Sequence, residues 1–225
     1  MQVINEFVLR DTTLLCPTCN SMFCTKTLGS SPEITRDTEV EADLHRVLPD
    51  AAIRAAFVSM CPACGYAWWV QAFQTHPFDS RLLPRPMSLE YPKRFAHAVL
   101  TGRSNGSHNL DLALLALNGY WCSREAGNAE TRFLELAHHE MDNTLKLADW
   151  EGNRGYYHYV MGEICRQLRD FKAAILHFEK VTPISDIPQE LLDRQKVLAI
   201  SGDSEPARMP EHIVELMFVE EGATV

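Results

Sequence analysis

Cys16-Pro17-Thr18-Cys19 and Cys61-Pro62-Ala63-Cys64-Gly65 are two copies of one short pattern. Cys-x-x-Cys delivers two thiolates from a single tight turn, and two such turns supply the four soft ligands of a tetrahedral zinc site. Proline after the first cysteine stiffens each turn. Gly65 accepts the positive φ that closes the second one, which frees backbone N–H groups to bond the sulfurs. Asn20 stands at the equivalent place in the first, and asparagine tolerates that region better than most residues. The reading is a knotted, strand-and-turn N-terminal segment with Cys16, Cys19, Cys61 and Cys64 as metal ligands.

The pairs are separated by 41 residues, more than the usual ribbon spacing. Relative to a gap of ~18, the added closure entropy is only ~0.7 kcal/mol, whereas structural zinc contributes on the order of 10 kcal/mol. The gap is therefore compatible with one site. Four thiolates close the coordination shell, so no catalysis is expected at the ion. Rubredoxin-like iron uses the same two knuckles and is the alternative cofactor, and an exchangeable dithiol is the redox alternative. Cys24 lacks a knuckle partner and reads as a strand residue near the site. Cys122 and Cys165 fall in helical pattern.

Outward from the cysteines, residues 1–75 read as strands and turns. Residues 22–27 are rich in β-formers, 34–40 alternate, and 53–60 form an apolar run entering the second pair. Gly29-Ser30-Ser31-Pro32 is a turn, and 39–56 is ambiguous with room for a helical turn. Residues 76–92 hold Pro77, Pro84, Pro86 and Pro92, a proline-rich linker.

From 93 to 225 the period becomes helical. Residues 91–100 form a short helix closed by Gly102. Leu110, Leu114, Leu117 and Trp121 mark one face, and Phe133, Leu136, Ala137, Met141, Leu145 and Ala148 another. The clearest stripe is Tyr157, Val160, Met161, Ile164, Cys165 and Leu168, with Tyr156 and Tyr159 facing elsewhere. After an Arg169-Asp170 turn come Phe171, Ala174, Ile175, Phe178 and Val181. Two last helices are expected at 189–200 and 211–219. Gly162, Ala174 and Phe178 fall at the small, small and aromatic positions of a tetratricopeptide repeat. The earlier pair, 110–149, has Gly119 but Thr131 at the small position. The expected fold is α+β, mainly α: a zinc-ribbon-like segment, then tetratricopeptide-like antiparallel helix pairs.

Net charge is −9 over 225 residues. Residues 1–89 carry 7 basic and 9 acidic side chains, and 90–225 carry 14 and 21. An acidic helical half is poorly suited to a phosphate backbone, so nucleic acid is not the expected partner. Contact through the ribbon is a further alternative, on the scattered Lys26, Arg36, Arg46 and Arg54. No basic-then-apolar leader and no ~20-residue apolar run is visible, which places the chain in the cytoplasm, where thiols stay reduced.

Three catalytic strings fail on context. Gly102-Arg103-Ser104-Asn105-Gly106 matches G-x-S-x-G, but a helix precedes it where the elbow needs a strand. His139-Glu140 begins a zinc-protease motif that Asn143 breaks. Glu135 and His138 make one half of a di-iron set without a second. Tyr156, Tyr157 and Tyr159, with His158, are a candidate ligand-lining cluster.

The motif order Cys-Pro-x-Cys, Arg36-Asp37-Thr38, then Cys61-Pro62-Ala63-Cys64-Gly65-Tyr66-Ala67 before helices resembles a bacterial family of uncharacterised proteins. Its members join a cysteine-ribbon segment to tetratricopeptide-like helices. The likeness covers residues 16–67 and, by pattern alone, the helices. It departs at Asn20, where the family has glycine, and the pair Trp68-Trp69 is a further point of difference. The resemblance implies zinc and a helical scaffold, and supplies no reaction. The functional expectation is a zinc-binding scaffold or adaptor whose helical domain takes a protein or peptide partner.

Overall fold

The computed structural model describes residues 9–29, 39–77, 83–84 and 91–219. Five short strands come first, β1 (Leu9–Leu15), β2 (Met22–Leu28), β3 (Val58–Met60), β4 (Ala67–Trp69) and β5 (Gln74–Thr75). A five-residue helix α1 (Ala51–Ala55) precedes β3. Then follow α2 (Tyr91–Ser104), α3 (Asn109–Glu125), α4 (Arg132–Lys146), α5 (Arg154–Gln167), α6 (Phe171–Phe178), α7 (Gln189–Ser201) and α8 (Glu211–Val214). The fold is α+β and mainly helical, as the sequence predicts.

Two antiparallel sheets form among these strands, one ordered β2-β1-β5 and the other β3-β4. In the first hairpin Leu15 pairs with Met22 and Leu9 with Leu28; in the second Met60 pairs with Ala67 and Val58 with Trp69. β5 joins the first sheet by pairing with Leu14 and Leu15.

By packing, the chain groups into two compact units, Met1–Glu33 with Leu48–Glu130, and Ile34–Val47 with Thr131–Val225. This is a different division from the compositional segments 1–75, 76–92 and 93–225. In the first unit α2 lies on β3 and β4, and α1 lies on α2 and α3. Asp50 caps α1, accepting from Ala52 N–H at 2.8 Å. The buried Arg54 side chain ends the helix on α3: its Nε and Nη2 grip Glu125 at 2.8–3.0 Å, and its Nη1 donates to Asn118 at 3.0 Å. The guanidinium also lies 5.2 Å from the Trp121 ring centre. That anchor sets where β3, and thus the second cysteine turn, begins.

In the second unit α5, α6 and α7 pack in sequence around Tyr159, Ala174, Phe178, Leu191 and Leu192. A Cβ on Gly162 would stand 2.3 Å from the Phe178 ring, so α5 and α6 approach here only because residue 162 has none. The buried pair Glu163–Arg166 (2.8 Å) also lies in this unit, with Arg166 Nη1 donating to the Asp203 and Glu205 carbonyls at 3.0 and 2.8 Å.

Several sequence expectations change. The apolar run 53–60 is not one strand: α1 takes its start and β3 its end. Gly102 is inside α2, against the Trp68 ring, rather than capping it. On α3 burial spreads from Leu112 and Leu115 through Ala116, Gly119, Tyr120 and Cys122, while Leu110, Leu114 and Trp121 are only half-buried. A helix covered on more than one side does not announce its face by period. Tyr159, not Tyr157, enters the core of the second unit, and its hydroxyl donates to Ala42 O at 2.6 Å. Most of the expected strand at 34–40, the turn at 29–32 beyond Gly29 and most of the 76–92 linker lie outside the described residues; at the strand's end Val40 makes an isolated antiparallel bridge with Arg46.

Candidate metal centre

Each Cys-x-x-Cys sits in the turn of one hairpin. The first occupies the connection from β1 to β2 and the second that from β3 to β4. Cys16 N–H donates to Ser21 O at 3.0 Å and Asn20 N–H returns to Cys16 O at 3.0 Å. The second turn repeats this with Cys61 N–H to Tyr66 O at 2.8 Å and Gly65 N–H to Cys61 O at 2.9 Å. Asn20 and Gly65 have φ of 57° and 76°. The two knuckles are thus one backbone motif used twice, with asparagine substituting for glycine in the first.

The turns face each other. Cys16 Sγ lies 3.7 Å from Cys64 Sγ, and Cys19 Sγ lies 3.7 Å from Cys61 Sγ. All four sulfurs are within 4.8 Å of one another. A disulfide needs about 2.05 Å, and all seven cysteines are free thiols. Four sulfurs around one ion at ~2.3 Å stand ~3.8 Å apart along the edges of their tetrahedron. The cross-knuckle spacing matches that edge, so the cluster can hold one ion of the zinc or iron class.

Cys16 and Cys61 are fully buried, while Cys19 and Cys64 are exposed. Behind the buried pair lies a small apolar cluster of Leu14, Phe23 and Phe73, with Tyr66, Trp68 and Val70 at its edge. Phe73 meets Phe23 and Tyr66 edge-on at 5.7 and 5.5 Å between ring centres.

The thiols differ in acidity. The Ser21 hydroxyl and then its backbone N–H lower Cys19 to about 6. Burial raises Cys61. Desolvation within the cluster, with the Cys19 and Cys16 thiols adding to it, pushes Cys64 up to about 12 against a hydrogen bond from Tyr66. Sulfurs this close do not all ionise together unless a cation neutralises them.

Cys24 is buried in β2, opposite Thr13, outside the four-sulfur cluster. The set-aside strings stay without an active-site context. Ser104 is at the last position of α2, donating to Leu100 O at 3.0 Å. His139 Nε2 contacts Asn143 Nδ2 at 3.3 Å along one helix face, and Glu140 is buried.

Two groupings went unseen in the sequence. His158 Nδ1 and His177 Nδ1 are 3.0 Å apart between α5 and α6. Glu41, Asp43 and His45 bring three donor atoms within 4.8 Å of one another. An i, i+2, i+4 run of donors is the only signal the sequence holds for the second.

No helix of the described residues is long and apolar enough to cross a membrane. Comparison with protein-family models, with curated proteins and with solved structures gave no match to this chain.

Proposed function

We propose that Cys16, Cys19, Cys61 and Cys64 hold one structural Zn2+ that ties the β1–β2 hairpin to the β3–β4 hairpin. The observation carrying this is the 3.7 Å sulfur spacing across the two knuckles. Zinc has no redox step to serve, and four thiolates leave it no open position for a substrate. Residues 1–75 are then a zinc-ribbon-like segment in the service of a scaffold.

The helical part is the partner-binding part of that scaffold. The close approach at Gly162 and Phe178 supports a tetratricopeptide-like pair in α5 and α6. Beside it an open depression of about 630 Å³ is lined by Asn153, Arg154, His158, Lys180 and Thr182. Glu151 also lines it, so Arg154 and Lys180 outnumber the one carboxylate, and the depression suits a polar peptide segment carrying an acidic side chain opposite Lys180.

Elemental analysis of the full chain expressed without added metal tests the first reading. One zinc per chain is expected; iron with visible colour moves the site to the rubredoxin-like alternative. Partner capture with wild type and Lys180→Glu tests the second. A captured protein retained equally by both removes the depression from the proposal.

A further inference from the structure

The depression beside α5 and α6 has one wall whose charge can change. His158 lines it from α5, and His177 on α6 meets His158 with the two Nδ1 atoms 3.0 Å apart. The ring centres are 5.2 Å apart against 3.0 Å for the nitrogens, a difference of 2.2 Å. That difference is two imidazole radii laid end to end, so the rings meet head-on. At this distance and direction one ring donates Nδ1–H and the other accepts. Around a shared ion at the same nitrogen spacing the rings would converge at an angle, with their centres closer together.

A head-on pair can take one more proton without losing its hydrogen bond. In the neutral pair the donor ring has its lone pair at Nε2. A proton arriving there from solvent makes that ring an imidazolium, and its Nδ1–H bond becomes charge-assisted. Transfer of the Nδ1 proton across the 3.0 Å gap moves the charge to the other ring. The charge can therefore stand on His158, the ring that lines the depression, whichever ring took up the proton.

Charges of both signs act on the pair. Arg154 on α5, Lys180 just past α6 and His138 on α4 are the cationic or titratable neighbours, and Asp142 on α4 is the carboxylate. Arg154 is committed elsewhere: Nη1 donates to Leu145 O at 2.7 Å, and the guanidinium lies 5.7 Å from the Trp150 ring centre. Glu151 lines the depression itself. Burial first, then the neighbouring cations and imidazoles, hold both rings below the ordinary histidine range. A carboxylate seated opposite Lys180 reverses that balance, because it offsets the lysine charge and attracts an imidazolium.

We propose, resting on the reading of this depression as a peptide site, that the His158–His177 pair takes up one proton as an acidic side chain of the partner enters. Binding and protonation are then linked. The partner is held more tightly as pH falls through the range where the occupied pair is charged and the empty pair is neutral.

The test uses the full chain labelled with 15N-histidine and, as probe, the capped peptide Ser-Ser-Asp-Ser-Ser, whose carboxylate stays ionised at pH 6.0 and 7.5. Its dissociation constant is measured by NMR titration at both pH values, at fixed ionic strength, for wild type, His158→Gln and Lys180→Glu. Wild type should bind at least about twofold more tightly at pH 6.0 than at 7.5, and His158→Gln should lose that gain. Equal binding of wild type at both pH values, weakened by Lys180→Glu, overturns the proton coupling and leaves the depression standing as a peptide site. No binding at either pH removes the peptide site and the coupling together. An equal gain in wild type and His158→Gln also overturns the coupling, since His138, Asp142 and Glu151 are common to both. If His158→Gln does not fold, the wild-type imidazole 15N signals decide. At pH 6.0 the probe should move those of both His158 and His177 toward the protonated form, and signals that stay in place overturn the proposal.

Discussion

The two hairpins of the first unit and the helix stack of the second solve the problem of a core in opposite ways. Among the described residues, the cluster behind the two cysteine turns has five buried members, and two of the five are Cys16 and Cys61. The cluster around α5, α6 and α7 has thirteen buried members among the described residues, from Val40 through Tyr159 and Phe178 to Val214. Strands of three to seven residues bury too little apolar surface to offset the entropy of ordering them. On the reading proposed above, a metal held by the two knuckles would supply what the small core lacks. Buried ion pairs do not separate the two regions, since Arg54–Glu125 lies in the first unit and Glu163–Arg166 in the second.

That contrast is broken or upheld most sharply by Cys61→Ser. The substitution leaves three thiolates and a weak ligand, and structural zinc is worth on the order of 10 kcal/mol of folding free energy. The hairpins should unfold, and the signal of Trp68, which lies between β4 and α2, should change with them. The α5–α7 cluster contains no residue from either hairpin, so most far-UV helical signal should persist. A chelator strong enough to strip zinc should reproduce the variant. Loss of all helical signal together with the hairpins would show that the large core depends on the small one.

The cysteine hairpins were more legible in the sequence than the helix stack. A knuckle is local: Cys, Pro, Cys and a residue able to take positive φ specify it within five positions, so all four sulfurs could be named before the fold was known. The Gly162–Phe178 contact was legible for a similar reason, because helical spacing fixes which residues meet. β1 was not distinguished, since Arg10, Asp11, Thr12 and Thr13 dilute its apolar content. The run 53–60 misled because hydrophobicity does not separate a short capped helix from a strand; Asp50 was the missing clue. The Glu41, Asp43 and His45 grouping was invisible because it depends on a turn at Leu44 and on a segment remote in sequence folding onto α5.

A smaller effect probes the packed side of the contrast. Gly162→Ala puts a methyl group 2.3 Å from a Phe178 ring atom, and Phe178 is itself fully buried against Tyr159 at 5.9 Å between ring centres. Overpacking of this kind costs ~1–3 kcal/mol, which for a chain of this size lowers the thermal midpoint by several degrees, at ~2–4 °C per kcal/mol. The zinc content should not change. Equal loss of zinc and of helix stability would erase the distinction between the two regions.

The smallest expected effect is a pH response confined to the helix stack. His158 and His177 face each other at 3.0 Å, half-buried between α5 and α6. Burial, then the neighbouring His158, Lys180 and His138, hold His177 down to about 4, against a weak opposite pull from Asp142. Burial, with Lys180 and Arg154, also lowers His158. An unfolded histidine titrates near 6.5, so between about 4 and 6.5 the unfolded chain binds more protons than the folded one. Stability contributed by the neutral pair is therefore present above about 6.5 and is lost as pH falls toward 4. Thermal midpoints of wild type and His177→Gln, measured from pH 7.5 down to 4.5, isolate the pair from the carboxylates that titrate in both proteins. Wild type should lose more stability on acidification than the variant. Parallel curves would mean that the imidazoles are hydrated enough to titrate as they do in the unfolded chain, and that this part of the large core is less tightly closed than its geometry indicates.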